Sequence, residues 1–235
     1  MPRDPSKAPH LNPPKQARSR RTLDRIARAA LELIEEKGVE GTTVKDVVER
    51  ADSSVGSFYA RFPGKEELLL YLQARVWHRA TEAWDDAVEA RDWEHLDLEH
   101  LVKEVVRVLL DSQREEAGRR HALGEHARVR GAEDDPEEAF HRHVLRDLRR
   151  MVLARSQEVR HPSPKLAVEV GYRMAAGALR ELVAMEEARG RVLGRKVIAD
   201  EVARGYLAYL GVEGLPTREV EEGEPDFGDP FDIWG

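Results

Sequence analysis

The pairs Glu138-x-x-His141 and Glu158-x-x-His161 have the residue types and the spacing with which helical bundles hold a di-iron cluster. Their placement argues against that chemistry. Both pairs fall in, or at the end of, one expected helix and stand 20 residues apart, which is about 30 Å along a helix and too far to share a cluster. His95 and His100, like His121 and His126, are five residues apart and face away from each other, since helix neighbours are three or four residues apart. The chain has no cysteine, so thiol nucleophiles, disulfides and thiolate-bound metals are excluded. It contains no His-Glu-x-x-His, no Gly-x-x-x-x-Gly-Lys and no Gly-x-Ser-x-Gly. The expectation is a non-enzymatic chain with no cofactor and no bound metal.

A second set of residues is crowded into one short stretch. Thr43, Ser54, Val55, Gly56, Ser57, Tyr59, Arg61 and Lys65 follow a cluster of Arg18, Arg20 and Arg21. Hydroxyls exchange hydrogen bonds with base edges or phosphate oxygens, a valine suits a thymine methyl, and a guanidinium suits guanine or phosphate. The charge is divided in a matching way. Residues 1–65 hold 13 Lys+Arg and 9 Asp+Glu, a balance of +4, whereas residues 66–235 hold 25 and 36, a balance of −11. A basic head on an acidic body suits an oriented encounter with a polyanion. Charge alone is equally consistent with an uneven surface and no partner, so the motifs decide.

The elements that must position these residues are helical throughout. Residues 1–17 contain five prolines and almost no aliphatic side chains, which marks a flexible basic arm. From Asp24, Ile26, Ala29, Ala30, Leu33 and Ile34 recur at helical period until Gly38 stops the helix. Thr43, with Asp46 three residues on, is a capping box for a two-turn helix that Asp52-Ser53 breaks. A second short helix runs from about Ser54 to Arg61, Pro63-Gly64 ends it, and Lys65 opens a long one carrying Leu69, Leu72, Val76, Ala80, Ala83 and Ala87. Further apolar stripes at 101–110, 117–127 and 140–152, and two last helices at about 165–189 and 195–210, bring the expectation to nine helices with no strand. The domain expectation is an arm over 1–17, a three-helix head over 18–64, a helical body over 65–212 and an acidic tail over 213–235.

Two short helices joined by a tight break, braced before and after, form a helix-turn-helix whose second helix enters the major groove. The stretch Gly41-Thr42-Thr43-Val44-Lys45-Asp46-Val47, followed by Ser54-Val55-Gly56-Ser57-Phe58-Tyr59-Ala60-Arg61-Phe62-Pro63-Gly64-Lys65-Glu66-Glu67-Leu68, resembles the TetR family of bacterial repressors. The resemblance covers about 45 residues of the head. It implies phosphate contacts for Thr43, Tyr59 and Lys65, base reading by Ser54, Val55, Ser57 and Arg61 with Gly56 allowing close approach, and an arm of Arg18, Arg20 and Arg21 on the DNA backbone or in the minor groove. Phe58 and Phe62 read as core. The departure from the family's commonest pattern is Asp52-Ser53, where Gly-Val is usual.

A helix-turn-helix reads few base pairs, so specificity calls for two heads on a palindromic operator, spaced roughly 34–36 Å. The expected partners are double-stranded DNA and a second copy joined through the last two helices, with no membrane. The resemblance further implies a small-molecule effector of unknown identity held by the body, whose preference for one of two states releases DNA. Trp77, Trp84, His121, Glu125, His141 and Tyr172 are the candidate lining residues. The apolar and acidic tail motivates a second possibility, control by a protein partner. No apolar run approaches membrane-spanning length, and the cytoplasm is the expected compartment.

Overall fold

The computed structural model describes residues 17–124, 135–189 and 194–213. The expected arm, apart from Ala17, and the expected acidic tail after residue 213 lie outside the described residues, as does Glu125.

The first helical run, α1 (Ala17–Gly41), is broken at Gly38, whose φ of 74° and ψ of 171° are open to a residue without a Cβ. The break turns Val39 into the head core, and Thr42 closes the turn by donating its hydroxyl to the Gly38 carbonyl at 2.8 Å. Then come α2 (Val44–Arg50), α3 (Val55–Tyr59) and α4 (Lys65–Glu89). The body continues with α5 (Leu98–Gly124), α6 (Pro136–Leu153), a 3-10 turn at Ser156–Glu158, α7 (Pro164–Arg189) and α8 (Arg195–Leu210). Among the described residues there are thus eight α-helices rather than nine. The stripe at 101–110 and the described part of the stripe at 117–127 belong to one continuous α5, because no glycine or proline separates Leu110 from Ala117 and Asp111-Ser112 does not break the helix.

Two apolar cores share one helix. The head core joins Ile26, Ala30 and Ile34 of α1, Val47 and Val48 of α2, and Phe58 and Phe62 to Leu68, Tyr71, Leu72 and Val76 of α4. The body core starts at the next residue, Trp77, and continues through Ala80 and Trp84 into α5, α6, α7 and α8. Phe58 and Phe62 are fully buried, as their size and setting imply. Leu123, near the end of α5, reaches into the head core. Of the described helices, none is long and apolar enough to cross a membrane.

Candidate nucleic-acid interface

The head is organised around a five-residue helix that could not persist alone. Its support comes from α2 and the turn between them. Thr43 caps α2: its hydroxyl accepts from Asp46 N at 3.2 Å, and the Asp46 carboxylate accepts from Thr43 N at 3.0 Å and from Lys37 Nζ at 2.7 Å. The far end of α2 closes with Asp52 N donating to Glu49 O at 3.2 Å and Ser53 N to Val48 O at 2.9 Å, the paired bonds of a Schellman motif. Arg50 fastens α2 to α1 through a bidentate pair with Glu36, both contacts at 2.9 Å. Ser54 then caps α3, accepting from Ser57 N at 3.1 Å.

Asp46 is held well below the ordinary carboxylate range, from 3.8 to about 2, chiefly by the hydrogen bond from Lys37 and then by Thr43. The folded head therefore favours the carboxylate. Its contribution is complete above pH 3.8 and is lost as pH falls through about 2. Unfolding curves between those limits are expected to fall more steeply for the wild type than for Asp46→Asn, the two converging at the acid end.

Asp52 supplies the physical reason for the unusual Asp-Ser turn. Its φ of 46° lies in the left-handed region, which a Schellman motif demands and which aspartate tolerates better than most residues. Its carboxylate stands 3.8 Å from Arg25 with both side chains well exposed, a pair worth little. Asp52→Gly is expected to stabilise the head by about 1 kcal/mol, the cost of a left-handed non-glycine residue. Removal of the negative charge should also tighten DNA binding at low salt, which a salt titration of affinity reads directly.

Over this scaffold, α3 turns Phe58 inward and presents Ser54, Val55, Gly56 and Tyr59 outward. Val55 is 49% and Tyr59 52% exposed, high values for an apolar and an aromatic side chain. Ser57 is half-buried, its hydroxyl accepting from Ser54 Oγ at 3.0 Å. A Cβ at Gly56 would touch only the Ser54 hydroxyl, at 4.0 Å, so the surface there is open. Thr43, Arg20 and Arg21 are exposed; the Arg18 side chain lies outside the described residues.

Two expected contacts are placed differently. Arg61 folds back, 8% exposed, and donates to the Ser57 carbonyl at 2.5 Å instead of presenting its guanidinium. Burial lowers its basicity. The correction has a local cause, for a residue four positions after Ser57 lies over the open carbonyls at the end of a one-turn helix. Lys65 is half-buried, donating to the Val39 carbonyl at 2.5 Å, so it ties the start of α4 to the turn after α1.

In the body, Trp77, His141 and Tyr172 come together. The Tyr172 hydroxyl lies 2.7 Å from His141 Nδ1, with the Trp77 and Phe140 rings packed against the imidazole. Tyr172 is fully buried, and burial pushes its hydroxyl upward in pKa. Trp84 is buried elsewhere, donating its indole N–H to Asp147 at 3.2 Å. The His121 side chain lies outside the described residues. The two Glu-x-x-His pairs part company: Glu138 binds Arg173 at 2.8 and 3.0 Å, whereas Glu158 accepts the Leu98 N–H at 3.0 Å. Sequence reasoning passed over Asp85, His143 and Asp147, which converge from α4 and α6. Only the His143-x-x-x-Asp147 spacing signalled it.

Residues 26–72 match the family model described as bacterial regulatory proteins, tetR family. No curated relative matches the sequence. Among solved structures, the chain is similar to a bacterial regulatory protein in the tetR family from Rhodococcus RHA1, at 16% identity and a TM-score of 0.64, over 82% of this chain and 98% of that one. It is similar to the transcriptional regulator FadR from Bacillus subtilis, solved in complex with stearoyl-CoA, at 17% identity and a TM-score of 0.61, over 80% and 98%. It is also similar to SmeT, the repressor of the Stenotrophomonas maltophilia multidrug efflux pump SmeDEF, at 21% identity and a TM-score of 0.53, over 87% and 91%. At these identities the likeness is one of fold, and it extends well beyond the segment the family model matches.

Proposed function

We propose that this chain, whose head matches the tetR-family model and whose fold is that of tetR-family structures, acts as a homodimeric transcriptional repressor that a small molecule releases from a palindromic operator. The observation that carries the reading is the outer face of α3, where Ser54, Val55, Gly56 and Tyr59 are solvent-facing over a fully buried Phe58. Small hydroxyl, methyl and bare-backbone groups on a helix that projects from a fixed core suit base edges in the major groove. Thr43, exposed at the start of α2, suits a phosphate, as do the exposed Arg20 and Arg21.

The dimer reading is supported by α7 and α8. Leu166, Met174 and Met185 are 53%, 54% and 39% exposed along α7, and Ala178 lies exposed among them at helical spacing. Gly205 and Ala208 are exposed on α8. A second copy covering these faces sets the two heads at the fixed spacing a palindrome requires. The effector reading is supported by the Trp77, His141 and Tyr172 cluster, aromatic surface with one buried polar pair, which suits a ligand pocket in the body.

The test is selection from a random duplex library with purified protein, repeated with Ser54, Val55 and Ser57 all changed to alanine. The expected result is one enriched palindrome that the variant no longer retains while keeping its weak, salt-sensitive binding to bulk DNA. Enrichment of the same sequence by the variant would assign recognition to another surface. Failure of both proteins to enrich any sequence would remove the operator from the proposal.

A further inference from the structure

The middle of the body brings three ligand-type side chains to one point. Asp85 is on α4, and His143 and Asp147 are one turn apart on α6, with one donor atom from each lying within 4.8 Å of the others. The imidazole side chain is 4% exposed, and its Nε2 lies 2.6 Å from Asp85 Oδ1. The Asp147 carboxylate is 11% exposed. One of its oxygens accepts the Trp84 indole N–H at 3.2 Å. The other, Oδ1, faces the guanidinium groups of Arg150 and Arg146, at 3.6 and 3.7 Å and beyond hydrogen-bond distance.

We propose that Asp85, His143 and Asp147 form a binding site for a divalent first-row transition metal that joins α4 to α6, with water completing the coordination. One imidazole and two carboxylates are a borderline donor set, suited to Zn2+, Co2+ or Mn2+ rather than to the all-oxygen cages of Ca2+. A tetrahedral ion with bonds of about 2.1 Å separates its ligand atoms by about 3.4 Å. The present arrangement needs small movements to reach that value. Asp85, whose side chain is 37% exposed, is the one free to move.

The surroundings are arranged as an outer shell. The Trp84 N–H holds Asp147 by Oδ2 and leaves Oδ1 available, as orienting hydrogen bonds do for ligating carboxylates. Arg146 lies 3.1 Å from His143 Nδ1. That contact keeps the proton on Nε2 in the metal-free protein. Metal entry at Nε2 moves the ring hydrogen from Nε2 to Nδ1, so Arg146, which faces Nδ1, must swing away. Its side chain is 60% exposed and able to do so. Arg150, 71% exposed, can move likewise.

Full-length protein stripped with a chelator is titrated with Co2+ alone. The expected result is one equivalent per chain with the visible absorption of a tetrahedral cobalt centre, lost on adding Zn2+. Asp85→Asn retains the hydrogen bond to His143 and sits at a partly exposed position, so it should fold. Its Co2+ affinity is expected to fall at least tenfold with an unchanged far-ultraviolet circular dichroism spectrum. His143→Gln should abolish the visible bands. No stoichiometric uptake by the folded wild type, or uptake that neither substitution weakens, would overturn the site.

Discussion

Arg155→Met is expected to destabilise the protein by about 3 kcal/mol, a fall of roughly 6–12 °C in melting temperature for a chain of this size. Arg155 follows α6 and is 9% exposed. Its guanidinium donates to Leu96 O at 2.6 Å, to Met151 O at 2.6 Å, to Glu94 O at 3.2 Å and to Trp93 O. Three of these carbonyls belong to the loop that carries the chain from α4 into α5, and the fourth belongs to the last turn of α6, where a cation is favoured. The Glu158 carboxylate accepts the Leu98 N–H at 3.0 Å, capping the start of α5. Methionine fills similar volume but donates nothing, leaving buried carbonyls without partners at about 1–3 kcal/mol each, against which relief from burying a charge is partial. Arg155→Lys should recover part of the loss, because one ammonium has three donors and cannot span four acceptors in a plane. Thermal unfolding of the three proteins checks the order. A methionine variant as stable as the wild type would mean that water serves these carbonyls equally well.

The contrast between legible and illegible features follows sequence separation. The Gly38 break, the Thr43–Asp46 capping box and the Asp52-Ser53 turn rest on partners within a few residues, and each left a pattern in the sequence, while the burial of Phe58 and Phe62 was legible from their size alone. The Arg155 staple joins positions about sixty residues apart, as does the meeting of Asp85 with His143. No local period encodes which helix faces cross, so these contacts were invisible until α4 and α6 were side by side. Arg61 is an intermediate case. Its partner, Ser57, is only four residues away, but whether an arginine at that position reaches outward or folds onto the end of α3 depends on the packing of Phe58 and Phe62 beneath it. The apolar face of α7 was visible as small and aliphatic residues. Its division into a buried side and an exposed side was not, because both sides carry the same residue types.

Gly171→Ala is expected to cost about 2 kcal/mol, whereas Gly177→Ala, six residues along the same helix, should gain up to about 1 kcal/mol in an isolated subunit. A Cβ at Gly171 would lie 2.2 Å from Tyr206 Cε2 and 2.4 Å from Cδ2. Tyr206 cannot retreat: it is 3% exposed and its hydroxyl donates to the Val168 carbonyl at 2.9 Å. The clash must separate α7 from α8 or break that hydrogen bond, either of which outweighs the gain in helix propensity from alanine. At Gly177 an added Cβ meets nothing within 4 Å, and the same holds at Gly205 on α8. Both positions lie near the exposed side chains of Met174 and Ala208, on the faces proposed to receive a second copy. Their substitution therefore reads the assembly as well as the fold. If another subunit packs closely there, alanine at Gly177 or Gly205 removes the expected gain, weakens self-association in sedimentation measurements, and lowers operator affinity with no change in the head. If both variants gain stability and remain dimeric, the subunits meet elsewhere. Gly171→Ala separates the two cases, since its loss arises inside one chain and persists at concentrations where any dimer has dissociated.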